Sequence, residues 1–338
     1  AGRLAWRLRF STKAVRPKQE GRSGARPEAD HERDAPPMPS MVGLMRKASY
    51  AVTRQVAIRR GEFFPFYYLA EFPKSGGTWT GRMVADALGV PFPQYPIFPL
   101  GFTCVIHSHW TYHPKLRRVV YLHRDGRDVM VSFYFHVLRD ARLKSSPWAK
   151  ENAAWAERVL GKGYDPDDSP KNLPAFMEEL FRKPLSTRMN WGDHIRSWLP
   201  AREDPTCAFV SYEELRTDCA AALKRVVERV GGKPVGDERI EQAVERFSMK
   251  KMTGRGAGQE DRDSFIRKGV VGDWQNHFTR EAAEVFDRWA GDMLVELGYE
   301  SSRDWVKQRT FVGEAGHVGT EGPSGAAGGS PVPTRASA

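Results

Sequence analysis

Short apolar runs alternate with longer stretches of helical period through most of the chain. Phe66–Phe72 reads as a strand that stops at Pro73, and residues 78–88 (TWTGRMVADAL) follow as a helix closed by Gly89, with Pro91 just beyond. Thr103–Ile106 and Arg118–Leu122 read as short buried strands. Gly126–Leu138 then reads as a helix with Asp125 and Asp128 near its start, where the helix dipole favours acids. Arg188–Leu199 is a further helix, Cys207–Val210 a further strand, and 213–230 and 279–297 are amphipathic helices. Strand and helix in alternation argue for an α/β domain with a central, mostly parallel sheet flanked by helices. Such sheets hold ligands at the carboxyl ends of their strands.

The flanks have a different texture. Residues 1–40 are rich in Arg, Pro, Gly and Glu without apolar periodicity and read as a disordered basic leader. The stretch from 313 to 338 is Gly-, Ala-, Ser- and Pro-rich and reads as a flexible tail, leaving 41–312 as the folded domain. Residues 41–60 (MVGLMRKASYAVTRQVAIRR) suit a basic amphipathic helix, packed on the domain edge or making a weak peripheral membrane contact. No apolar run is long enough for a transmembrane helix.

Charge narrows the partners. The net charge is +10, but residues 1–50 hold 11 basic against 5 acidic side chains, so the folded part is only mildly basic. That balance suits a pocket for a small anion and argues against nucleic acid along a wide phosphate-binding face. Three scattered cysteines, Cys104, Cys207 and Cys219, make neither a disulfide framework nor a zinc site, and point to a reducing, cytoplasmic setting.

Two strand–turn–helix junctions carry candidate chemistry. In Glu71-Phe72-Pro73-Lys74-Ser75-Gly76-Gly77-Thr78-Trp79 the glycines let the backbone approach a phosphate. The N–H groups of Gly76, Gly77 and Thr78 converge at a positive helix end, Lys74 adds a mobile charge and Thr78 a hydroxyl. The lysine precedes the glycines, so the triphosphate loop G-x-x-x-x-G-K-[ST] is not indicated. In Val119–Ser132, Arg124 ends a strand and Ser132 lies eight residues on, about two helical turns. An arginine fork and a serine hydroxyl suit a phosphate. Each junction, read alone, is equally a plain turn or a capped helix start.

Together the strings resemble the two donor-binding motifs of the sulfotransferases that use 3′-phosphoadenosine-5′-phosphosulfate (PAPS). P-K-S-G-G-T-W is similar to P-K-S-G-T-T-W, with Gly77 in place of a threonine. Arg124 to Ser132 is similar to R-N-P-K-D-x-x-x-S. Phe265–Trp274 (FIRKGVVGDW) resembles the R-K-G-x-x-G-D-W element, and Phe247–Met252 (FSMKKM) partly matches T-S-F-x-x-M. The resemblance implies a P-loop-like fold and PAPS as co-substrate without a metal. It implies that Lys74, Ser75, Gly76, Gly77 and Thr78 hold the phosphosulfate and that Trp79, Tyr212, Ser248 and Met249 surround the adenine. Arg124, Ser132, Arg267, Lys268 and Gly269 would meet the 3′-phosphate. His109 falls on the histidine of the family's K-T-H segment and is expected as general base, with His107 in the lysine position; Lys74 is expected to act on the leaving phosphate. His113 and His123 read as structural.

The acceptor is less legible. Val90–Gly101 and Ser145–Pro184, with Trp148, Trp155, Tyr164, Phe176 and Phe181, are expected to wall its site, which suits an apolar or aromatic alcohol or a lipid-like molecule with a hydroxyl (or amine) as acceptor group; the same residues are equally readable as core. Two other functions stay open on the residues alone: a P-loop-type nucleotide kinase, and a non-catalytic nucleotide- or RNA-binding protein led by its basic leader.

Overall fold

The computed structural model describes residues 41–61, 63–64, 66–93, 102–143 and 149–316. The leader, the tail beyond 316, the stretch 94–101 and Trp148 lie outside them. Four strands form one parallel sheet: β1 (Tyr67–Glu71), β2 (Val105–Ser108), β3 (Val119–His123) and β4 (Cys207–Ser211), in spatial order β2-β1-β3-β4. β1 pairs with β2 from Tyr67↔Val105 and with β3 from Tyr68↔Val119. The chain thus leaves β1 first to one side and then to the other, and the switch point of the sheet lies at β1.

Alternate residues of each strand enter opposite cores. Tyr68, Ala70, Ile106, Tyr121 and Cys207 face one, and Leu69, Val105, Val120, Leu122 and Val210 the other. Both faces are covered, as a parallel sheet requires. Helices α2 (Gly77–Leu88), α8 (Cys219–Gly231) and α9 (Asp237–Arg246) cover the second face through Met83, Val84, Val226, Val227 and Ile240. The first is covered by α3 (Gly126–Leu143), α4 (Ala149–Leu160), α5 (Ser169–Arg182), α6 (Trp191–Trp198) and α11 (Arg280–Glu296). Short helices α7 (Tyr212–Thr217), α10 (Met249–Thr253) and α12 (Trp305–Gln308) complete the chain order. The N-terminal helix α1 (Met41–Arg60) buries Ser49, Thr53 and Ala57, one face at four-residue spacing. Among the described residues no helix is long and apolar enough to cross a membrane.

Two expectations are corrected. Residues 213–230 are two helices, because the Asp218 side chain accepts from Ala221 N–H while its own N–H donates to the Glu214 carbonyl, ending α7 and starting α8. The segment 145–184 is mostly helix, started at α5 by Asp168 with a proline in the first turn. Trp155, Phe176 and Phe181 are buried core residues there, and Tyr164 packs against them. Trp155 on Phe176 joins α4 to α5 and Phe181 packs on Phe286 of α11, so these three rings serve the core and not an acceptor wall.

Gly126 opens α3 where a Cβ would sit 2.6 Å from Phe286 Cζ and 2.7 Å from the Trp191 ring. Both rings are buried. Gly126→Ala is expected to cost about 1–3 kcal/mol through overpacking, read as a lower urea midpoint; an unchanged midpoint would show that the rings yield freely.

Candidate active site

Every strand of the sheet ends on a residue expected in the site or next to one. Lys74 to Thr78 follow β1, His109 follows β2, Arg124 follows β3 and Tyr212 follows β4. These ends open onto a single cavity of about 270 Å³, lined by Lys74, Gly76, Gly77, Thr78, Trp79, His107, His109, Arg124, Ser132, Tyr212, Met249, Arg267, Lys268 and Gly269. Two expected residues stay outside it. Ser75 is fully buried, its hydroxyl donating to the Phe72 carbonyl at 2.8 Å. Ser248 caps α10 by accepting from Lys251 N–H.

The turn after β1 is wound tightly. Lys74 has φ 75° and Gly76 φ 113°, left-handed values that glycine adopts freely and lysine does not. Gly76 also packs under Tyr212, where a Cβ would lie 2.9 Å from the ring. The Gly77 N–H, expected to face a phosphate, instead donates to Glu71 Oε2 at 2.6 Å. Glu71 Oε1 meets His107 Nε2 at 2.9 Å, and the Glu71 carbonyl meets His109 Nδ1 at 3.0 Å. Glu71 is 3% exposed. Burial alone would raise its pKa, but the His107 hydrogen bond, both histidines and the Gly77 amide outweigh burial and hold the carboxyl below its usual range. Sequence reasoning missed Glu71; its signal was an acid three residues before the lysine. Ligand-type atoms of Glu71, His107 and His109 lie within 4.8 Å of one another. The carboxylate is already spoken for by an amide and an imidazole, so the cluster orients the histidines rather than forming a metal centre.

His109 takes its tautomer from this contact. With Nδ1–H donating to the Glu71 carbonyl, Nε2 is left as the acceptor. Burial, reinforced by neighbouring His107, lowers its pKa and keeps the ring neutral near pH 7. The His109 N–H donates to Tyr50 Oη at 2.9 Å, which ties α1 to the end of β2. His113 and His123 serve the scaffold: His113 Nδ1 accepts from Lys115 N–H, and His123 meets the Tyr299 hydroxyl.

The cations fall into two groups. Arg124 donates to Asp128 at 3.2 Å and to the Val270 carbonyl at 2.9 Å, and its guanidinium lies 4.3 Å from the Tyr212 ring centre; its Nε is buried without a partner. Lys268 donates to Asp273 at 2.6 Å, and Arg267 pairs with Asp273 and Glu260. Asp273 is held well below the ordinary carboxylate range: burial would raise it, but His277, Arg267 and Lys268 together prevail. Among the described residues no carboxylate pairs with the Lys74 ammonium, which lies 4.3 Å over the Phe265 ring. Burial, then the nearby Arg139, lower its pKa to about 7 against an opposing pull from Glu71, with smaller contributions from Arg124 and Arg267. Arg127, beside these, is fully committed to Asp125 and Glu300 under the Trp274 and Trp305 rings.

Trp79 and Tyr212 meet edge-on, 5.7 Å between ring centres, and with Met249 and Met252 form an apolar cleft beside Arg124. Trp79 Nε1 is anchored on the Phe247 carbonyl. Gly269, at φ 66°, brings Lys268 close because a Cβ there would touch Met249 Sδ at 3.3 Å. Phe133, His136, Ser186 and Phe265 complete the wall where the acceptor was sought in other segments.

Comparison with known proteins places the chain in a family. Residues 102–298 match the family described as the sulfotransferase domain. Human sulfotransferase 2A1 is 28% identical over 192 residues, 54% of this chain and 58% of the relative. Mouse sulfotransferase 2B1 is 26% identical over 288 residues, 74% of this chain and 76% of the relative. The crystal structure of mouse sulfotransferase SULT7A1 complexed with PAP superimposes with TM-score 0.53 at 20% identity, over 79% of this chain and 94% of that one, a likeness of fold. The P-K-S-G-G-T-W loop lies before the matched segment, whereas Arg124, Ser132 and Arg267–Gly269 lie within it. By that match, over more than half its length, the chain belongs to the sulfotransferase family.

Proposed function

We propose that this chain transfers a sulfuryl group from PAPS to a hydroxyl of a small-molecule acceptor, with His109 as general base and Lys74 stabilising the leaving phosphate. The observation that carries the reading is that Lys74, after β1, and Arg124, after β3, line one cavity together with Ser132, Lys268 and Gly269. The residues fit a polyanionic nucleotide. Arg124 Nε is buried and unpartnered, among the described residues no acid pairs with the Lys74 ammonium, and the Trp79–Tyr212 cleft offers an apolar slot for a base.

Bound PAPS supplies a sulfur centre at which the acceptor oxygen forms a new S–O bond while the bond to the bridging phosphate oxygen breaks. His109 Nε2 receives the acceptor proton, its other nitrogen held by the Glu71 carbonyl. Lys74 Nζ meets the charge that grows on the departing phosphate. Arg124, Lys268 and Ser132 anchor the far phosphate, with Asp128 and Asp273 fixing the first two before any ligand arrives.

Gly77 belongs to the same device. A Cβ at this position would fall on the Glu71 carboxylate and within 2.5 Å of His107 Nε2. The glycine in place of the family's threonine therefore goes with the Glu71–His107 pair that stands where the family has a lysine. The three positions form a coupled unit.

Four outcomes are expected. Purified protein should be thermally stabilised by 3′-phosphoadenosine 5′-phosphate (PAP) and transfer sulfate without added Mg²⁺. His109→Ala should keep the PAP response but lose about 10²–10⁴-fold in turnover, and a near-normal rate would remove His109 from the chemistry. Lys74 is half neutral near pH 7 when free and must be charged beside a phosphate, so PAP binding at pH 8 should take up a proton and weaken as pH rises. Calorimetry in buffers of different ionisation enthalpy reads that uptake, and Lys74→Met should abolish it. Finally, Gly77→Thr alone should cripple turnover, and adding Glu71→Thr with His107→Lys should restore a substantial part; independent, additive losses would break the coupling.

A further inference from the structure

Helix α3 carries Ser132, His136 and Arg139 at i, i+4 and i+7, a single face. Ser132 and His136 line the main cavity, and a small annex behind it is lined by Lys74, Ser132, His136, Arg139, Arg262, Phe265 and Arg267 among others. The cations of this annex are unequally matched. Arg262 pairs with Asp167 and Glu260, and Arg267 with Glu260 and Asp273. Among the described residues no acid or carbonyl meets Arg139: its Nε is buried without a hydrogen-bond partner, and its guanidinium lies 5.7 Å from the Phe265 ring centre. His136 Nδ1 is buried and unpartnered as well. Unmatched polar groups in a low-dielectric wall are costly unless a ligand satisfies them.

The donor does not account for them. Its expected anchors are Lys74, Arg124, Ser132, Arg267, Lys268 and Gly269, and Lys74, Ser132 and Arg267 also edge the annex, whereas Arg139 stands almost two helical turns beyond Ser132, outside the main cavity. Between the His109 base and Arg139 the wall is aromatic, made by Phe133 and Phe265, whose rings flank His136 at 6.3 and 6.0 Å. Beyond Arg139 an outer groove of about 270 Å³ continues past Phe135, Leu138, Tyr164 and Arg262.

Resting on the sulfotransferase reading above, we infer that the acceptor is a hydroxy acid: an alcohol or phenol with an aromatic or apolar body and a carboxylate, or similar anion, that docks on Arg139 and His136. The hydroxyl is presented to His109, the body lies between Phe133 and Phe265, and the acid satisfies the arginine fork.

The test uses the whole chain with PAPS and two phenols of matched shape, 3-(4-hydroxyphenyl)propionate and 4-propylphenol. The acid is expected to show a kcat/KM higher by about tenfold or more. Arg139→Gln should bring the ratio close to one, Arg139→Lys should keep part of it, and both variants should retain the thermal response to PAP. A wild-type ratio of one, turnover of neither phenol by a chain that binds PAP, or loss of the PAP response in Arg139→Gln each overturns the inference. The last outcome would assign Arg139 to the donor. Failure of the wild-type chain to respond to PAP at all would instead sink the sulfotransferase reading beneath it. The wild-type comparison does not depend on any variant folding.

Discussion

A carboxylate buried at the end of a central strand is costly unless each oxygen finds a donor. At Glu71 the chain meets that constraint with the Gly77 amide on one oxygen and the His107 imidazole on the other. Its backbone carbonyl, pointing the same way, fixes His109. The loop, His109 and His107 therefore share one anchor. The glycine that looks like a loss in the phosphate loop is what leaves room for it.

The second constraint is charge. A pocket for a polyanion must keep several cations close while empty, and their repulsion has to be contained. Asp128 restrains Arg124 and receives the Gly272 and Trp274 amides, while Asp273 collects Arg267, Lys268 and His277. These carboxylates hold the cations in place before a ligand arrives, so less ordering is left to binding. Among the described residues Lys74 has no such partner. Its weakened hold on a proton comes from burial and from the cations around it.

Most of the sheet was legible because its strands are short apolar runs cut by Pro73, Gly126 and similar breakers, and the motifs sit at their ends. Most of the residues expected at the donor line one cavity, and they were legible together because loop and helix start are contiguous in sequence. Glu71 was not, since its meaning depends on His107, 36 residues away on a neighbouring strand. Ser75 and Ser248 have the right neighbours in sequence but serve turn and cap. The aromatics of 145–184 misled because an apolar ring reads the same whether it faces a ligand or, like Trp155 and Phe176, another ring at 5.3 Å. Arg139 carried no signal at all, because an arginine in a helix is distinguished only by the partner it lacks.

The strand order β2-β1-β3-β4 has a consequence for how the pocket comes into being. Its wall is drawn from segments scattered between residues 71 and 270, and no hairpin or single crossover contains a usable part of it. Nucleotide capture therefore reports on completion of the entire sheet. A partly folded intermediate would be blind to the donor, and ligand stabilisation would accrue only to the finished molecule.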